Sequence, residues 1–426
     1  WTLLSILWAP LAGGAYAAGQ IAVLYVGMLV ACSMLLDGGG LRWVEPAVAS
    51  GALIVIGYGL SERLLPGVLH FARSVSAEGR LEQPLTYWNA MGELAALGFV
   101  MTARLAGDAT RPAWLRCAAA AAAAPLGLGL YISFSRGALF ACAAGLLTLI
   151  VAVPWRGQLS AVLRAVAAGA LAALSGAFFK GITSLGGTLS MRERQGAITL
   201  VALVVVMGLA GGVQYVLGRR ERDIALRLPR GAPWIATGLV AAGLALAIVI
   251  GAHETSGTSQ PLSGGATRLV TLQSNRYDYW HVALKAFAGE PVRGVGAGGW
   301  SVDWLRYRHI GEGAQDAHSL ELQTLAELGL VGLALLAMFL AGVLWSGLRA
   351  VAGNAVAAAG PLAGLVAYLA HSPLDWDWQM PAVTLPAIAL MGALVALAGR
   401  PAARAPRRSA APHAGTPTPR PRRPAT

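Results

Sequence analysis

One histidine in this chain stands where a general base would be useful. His318 lies in the run Asp316-Ala317-His318-Ser319-Leu320-Glu321-Leu322-Gln323, at the head of a long apolar stretch. Histidine changes charge near neutral pH, so it can take a proton from an attacking hydroxyl. Asp316 is positioned to raise its basicity. Glu321 and Glu327 follow at helical spacings; Glu321 is expected to orient the imidazole, while Glu327 lies deeper. Three arginines complete the candidate set. Arg136 sits in the turn Ser133-Phe134-Ser135-Arg136-Gly137, between two apolar runs. Arg276 heads an amphipathic piece from Tyr277 to Phe287, with Trp280 one turn on. Arg80 lies in the polar stretch that ends at Asn89. A guanidinium holds phosphate through two parallel hydrogen bonds and never loses its charge, so the set suits a phosphate-bearing substrate. Each residue also fits a plainer role: a capping histidine, a snorkelling arginine at a span end, or a solvated loop charge.

Two motifs with familiar spacing read differently in context. Gly294-Val295-Gly296-Ala297-Gly298-Gly299 fits the dinucleotide-binding Gly-x-Gly-x-x-Gly pattern, but it follows Pro291-Val292-Arg293 rather than a strand, so a tight loop is expected. Asp375-Trp376-Asp377 resembles a metal-binding pair of acids. Its flanking aromatics read as an interfacial belt with solvated or arginine-paired carboxylates. His281 and His309 have no ligand-like spacing to His318, so no metal and no cofactor is expected.

The elements that carry these residues belong to a membrane. The chain is 56% hydrophobic and only 12% charged, with a mean hydropathy of +0.60. Apolar runs of about 17–25 residues, the length that crosses a bilayer as a helix, recur along it. About twelve are expected, near 2–17, 20–36, 46–60, 90–106, 114–133, 137–153, 160–178, 197–217, 232–251, 323–346, 355–371 and 381–399. Segments 37–44, 104–116, 154–164, 218–230, 347–354 and 400–426 hold most of the 32 Lys and Arg. The positive-inside rule makes that side cytoplasmic. The net charge of +12 therefore reflects topology, and nucleic-acid binding is a poor reading. Both termini are expected in the cytoplasm, with the long loop 252–322 outside. Cys32, Cys117 and Cys142 fall inside spans and read as small buried hydrophobes. Residues 1–399 read as one transmembrane domain and 400–426 as a disordered basic tail on anionic lipid. The chain opens on Trp1 without a Met, so earlier residues are expected; no signal peptide is visible.

Taken together, these motifs resemble the bacterial O-antigen ligase and polymerase superfamily. The resemblance rests on Ser135-Arg136-Gly137-Ala138, on Arg276 with Trp280, on the Pro291 to Gly296 turn, and on the block from Ala317 to Gly332. The stretches Arg80 to Asn89 and His371 to Pro381 extend it. It implies an all-α polytopic, metal-independent glycosyltransferase of the C type in the bacterial inner membrane. Such enzymes transfer a glycan, with inversion, from an undecaprenyl-diphosphate donor to an acceptor hydroxyl on the extracytoplasmic face. By motif, Arg136 and Arg276, with Arg80, hold the donor diphosphate, and His318 acts at the acceptor. Asp316, Glu321, Asn89 and Trp280 support them. The expected partners are the lipid-linked glycan, a glycan or lipid-glycan acceptor and membrane lipids. A polysaccharide polymerase of the same superfamily and a lipid-linked glycan flippase are the alternatives.

Overall fold

A computed structural model describes residues 1–218, 224–253, 269 and 274–400. The basic tail expected from 400 onward therefore lies outside the described residues beyond Arg400, as does much of the first part of loop 252–322. The described residues form thirteen helices: α1 (Ala12–Leu35), α2 (Gly38–Leu64), α3 (Trp88–Gly107), α4 (Ala113–Ile132), α5 (Arg136–Ala152), α6 (Arg156–Ala177), α7 (Lys180–Thr183), α8 (Leu189–Gly218), α9 (Ala232–His253), α10 (Arg276–Gly289), α11 (Trp300–Tyr307), α12 (Leu320–His371) and α13 (Pro381–Ala398). Short 3-10 turns join some of them. The one strand-like contact among the described residues is an isolated bridge between Trp155 and Ala225.

Seven of these helices are long and apolar enough to cross a membrane, so the chain is a polytopic helical membrane protein. The expected count of twelve spans is not reproduced. Segment 2–17 is not a span: Leu4–Leu7 is a 3-10 turn, and α1 begins only at Ala12. Its side chains are bonded instead to distant parts of the chain. Trp1 Nε1 donates to the Leu328 carbonyl at 2.9 Å, and the Ala297 amide donates to Ser5 Oγ at 3.1 Å. The other expected segments all fall on helices, two of them on the two halves of α12.

The core is built around α3. It is buried along almost its whole length and packs against α2, α4, α5, α6 and α12. Between its ends it is apolar, with Leu94, Leu97, Phe99, Val100 and Met101 buried. Its two ends meet separate polar clusters. At the C-terminal end, Arg104 lies 3.2 Å from Asp108 and 3.9 Å from Glu45; Arg111 lies 3.0 Å from Glu45 and 3.2 Å from Asp108. Glu45, Arg104 and Asp108 are buried, so each carboxylate needs a cation at this distance. At the N-terminal end lies the constellation described below.

Helix α12 is broken at two places, where Gly329 and Asn354 leave helical geometry. The break at Gly329 is filled by the glycine-rich loop. The amides of Leu330 and Val331 turn to the carbonyls of Pro291 and Val292, at 2.9 and 3.3 Å. The carbonyls of Ala326 and Glu327 accept from Val295 and Gly296 instead, at 3.0 and 2.8 Å. A neighbouring segment thus replaces the lost helical bonds, as a break in a membrane helix requires. The glycines follow from this contact. Gly294 and Gly329 both have positive φ, and a Cβ on either would stand 2.3 Å from the backbone opposite. The loop is tight, as expected, and it is tight because its backbone completes the hydrogen bonding of the broken α12.

Helices α10 and α11 form a cap over this junction with a small core of their own. Tyr279, Trp280, Trp300, Trp304 and Ala326 are buried in it. The expected amphipathic piece is α10, although no separate core was evident from the sequence.

Gly329→Ala should destabilise the protein strongly, through positive-φ strain of about 1–2 kcal/mol and the clash with Val292. Gly342→Ala, at a site with open space around it, should be neutral or slightly stabilising. Thermal unfolding of both variants in detergent checks this; equal melting temperatures would contradict the interlock.

Candidate functional site

The site starts from Asp375. It follows a 3-10 turn, Ser372–Leu374, that closes α12, and its carboxylate is fully buried. Such a group must be paired to remain ionised. Arg276, the first residue of α10, supplies the charge, with Nη2 2.6 Å from Oδ2. The Tyr87 hydroxyl donates to Oδ1 at 2.5 Å, and Asn89 Nδ2 donates to the Tyr87 oxygen at 2.8 Å. Burial alone would raise the Asp375 carboxyl. Arg276, with help from His371 and His318, outweighs it and holds the group below the usual carboxylate range.

His318 stands on the cap side of this pair. Its φ is +52°, a left-handed conformation, and Ser319 after it caps α12 by accepting from the Leu322 amide at 3.4 Å. Nδ1 lies 2.9 Å from the Asp316 backbone carbonyl. A carbonyl only accepts, so Nδ1 carries the proton and Nε2 keeps its lone pair. The ring packs on Tyr279, centroids 4.8 Å apart, and edge-on to Trp376 at 6.3 Å. Burial pushes His318 below its ordinary value of 6.5; Asp375 opposes the shift and Arg276 adds to it. The imidazole is therefore neutral at pH 7 and able to accept a proton.

The expected site residues divide by position. Arg276, His318, Asp316 and Asn89 converge on Asp375 and the turn before α12, and Trp280 lies in the cap core beneath them. Asp316 acts through its backbone carbonyl. Its carboxylate, raised by burial, accepts from Gln323 at 3.0 Å. Glu321 does not orient the imidazole; it accepts from Ser319 and Ser372 at 3.5 and 3.3 Å. Arg136 is the first residue of α5, after the cap residue Ser135. Gly137 beside it is pressed against His371: a Cβ there would stand 3.0 Å from that ring. Arg136 therefore lies at the same end of the bundle, next to the α12 terminus. Arg80 sits further back. Its guanidinium lies 3.6 Å over the Trp88 ring and donates to the carbonyls of Ala77 and Ser76.

Several polar residues here escaped the sequence reading. Asp375 and Asp377 are buried, so neither is a solvated acid; of the two expected alternatives Asp375 takes the arginine-paired one, with Arg276. Asp377 Oδ2 lies 2.9 Å from His371 Nδ1, and Glu93 Oε2 lies 4.0 Å from the same atom. Glu93 and His371 each interrupt an apolar span, a signal that by itself asks for a partner. Tyr87 and Gln323 gave no comparable signal. Among the described residues, no group of three or more His, Cys, Asp or Glu is placed to hold a metal ion.

Fold and site define a polytopic helical membrane protein with a histidine and an arginine–carboxylate pair gathered at one end of its bundle. Residues 182–337 match the family described as O-antigen ligase, and the match supports the O-antigen ligase and polymerase superfamily. The matched segment contains Arg276 and His318; Arg80 and Arg136 precede it and Asp375 follows it. A comparison with curated proteins finds no match.

A double-mutant cycle tests the central pair. Asp375→Asn and Arg276→Met should each lower the melting temperature, with a coupling energy of about 1–3 kcal/mol between them. Strictly additive losses would show that the two side chains do not meet.

Proposed function

We propose that the protein transfers a glycan from an undecaprenyl-diphosphate donor to an acceptor hydroxyl, with inversion and without a metal ion, at the extracytoplasmic surface of the bacterial inner membrane. The observation that carries this reading is the meeting of a neutral His318 with the fixed guanidinium of Arg276. Nε2 takes the proton of the acceptor hydroxyl as its oxygen attacks the anomeric carbon. The bond from that carbon to the diphosphate oxygen breaks, and undecaprenyl diphosphate leaves with one more negative charge. Arg276, held by Asp375, and Arg136 at the adjacent helix start offset that charge in a setting largely closed to water. Arg80 contributes from behind Trp88.

Sidedness follows from charge. The His318 end of α3 lies opposite the end that carries Arg104 and Arg111, and the segments on that opposite side hold most of the basic residues. The positive-inside rule then turns His318 outward. An apolar groove of about 420 Å³ runs between α5, α9 and α12, lined by Leu147, Val240, Leu348 and Val366 and reaching Ala370 beside His371. It suits a stretch of the donor's polyprenyl tail. The apolar middle of α3, between its two polar ends, favours transfer over a flippase, which needs polar groups through the membrane depth. Ligase and polymerase activities share this chemistry and differ in acceptor.

The test is glycan transfer by purified protein, with donor binding measured on the same sample. His318→Ala should lower transfer by about 10²–10⁴-fold and leave donor binding nearly intact. Arg136→Lys, which keeps charge and loses the planar fork, should weaken both. Full transfer by His318→Ala would end the proposal.

The pH profile adds a separate check. A histidine held below 6.5 stays deprotonated at neutral pH, so turnover of bound donor should remain level from about pH 8 down to about 6.5 and fall only below that. A limb rising between about pH 7 and 8 would assign the base to another group.

A further inference from the structure

We infer that Gln323 is a positioning residue that fixes which nitrogen of His318 is free to accept a proton. The inference rests on the proposed role of His318 as the base. Gln323 lies in the first turn of α12 and is buried. Its amide oxygen and both of its N–H groups are bonded. Oε1 accepts from the Ala317 amide at 2.8 Å. Nε2 donates to Asp316 Oδ1 at 3.0 Å and to Glu327 Oε1 at 3.2 Å. Only a carboxamide can accept from a backbone N–H and at the same time donate to two carboxylates.

The bonded residues explain the consequence. Asp316 and Ala317 immediately precede His318 and form the turn that sets its ring. His318 is in a left-handed conformation that costs a residue with a Cβ about 1–2 kcal/mol. Such a conformation persists only when its surroundings hold it. The Asp316 carbonyl faces Nδ1 at 2.9 Å and assigns the proton to that nitrogen. Gln323 grips the turn on both sides of that carbonyl, through the Asp316 side chain and the Ala317 amide. Through Glu327 it ties the turn to the part of α12 that the glycine loop holds: the Trp300 amide also donates to Glu327 Oε1, at 3.4 Å. If the grip is lost, the turn relaxes, and Nδ1 loses the acceptor that keeps its proton there. The fraction of His318 with Nε2 free then falls.

Two variants of similar size separate the possibilities. Gln323→Met keeps volume and removes all three bonds. Gln323→Glu keeps the acceptor for Ala317 and sets a third carboxylate against Asp316 and Glu327. The first measurement is ¹⁵N NMR of histidine-labelled protein, with the His318 signals identified by their absence in His318→Ala. Wild type should show the Nδ1-protonated form, and both variants should shift toward a mixture. The second is kinetics. Both variants should lose about 10- to 100-fold in kcat with donor KM changed less than about twofold. Combined with His318→Ala, Gln323→Met should cost nothing further, because it acts through the missing imidazole.

An unchanged tautomer in both variants would overturn the inference, whatever the activity. Losses that multiply in the double variant would also overturn it and make Gln323 a packing residue. Full transfer by His318→Ala would end the base reading alone, and the NMR result would then decide the part played by Gln323.

Discussion

The end of the bundle that carries His318 is organised by one buried carboxylate. Asp375 has no access to water, and an ionised acid in that position is tolerable only with a cation and hydrogen-bond donors in contact. Meeting that demand draws together Arg276 from the cap and Tyr87 from the loop before α3. Trp376, next in sequence, then packs against both Tyr87 and His318. The same contacts that neutralise Asp375 thus set the position of an arginine and a histidine suited to chemistry. Arg276 is held in place by that pair, so the proposed reaction would need little reorganisation of it.

The second constraint is the broken start of α12. A helix interrupted inside a membrane protein must find other partners for its exposed amides and carbonyls. Here the Pro291 to Gly299 loop supplies them, and glycine is required on both sides because two backbones meet with no room for a Cβ. This interlock joins the cap to the bundle. The turn bearing His318 follows the cap directly and leads into the short helical piece that the interlock holds. The turn is held by the Asp316 carbonyl at Nδ1 and by Gln323, which bonds both the Asp316 side chain and the Ala317 amide.

Charge is segregated along α3. The Glu45, Arg104, Asp108 and Arg111 cluster and the Asp375 constellation occupy opposite ends of one buried helix, separated by apolar side chains. That separation fits a protein whose chemistry takes place at one surface and whose opposite surface is anchored by basic loops.

Much of this was legible in the sequence. Segments 20–36 through 381–399, expected from apolar length, all fall on helices, because the bilayer imposes that length whatever the tertiary packing. Residue type and local spacing placed His318 before a helix, Arg276 at the head of an amphipathic helix and Arg136 at a span start. Segment 2–17 misled because apolar length cannot distinguish a span from residues bonded to distant parts of the chain, as Trp1 is to Leu328 and Ser5 to Ala297. The partners were likewise hidden. Nothing within a few residues of Asp375 reveals that Arg276 and Tyr87 will neutralise it, or that Glu93 will lie beside His371. Gln323 reads as one polar residue on a helix until the turn folds back on it. Local periodicity and chemical type determine elements and candidate groups; pairing across long stretches of chain is decided only when burial forces each charge to find its opposite.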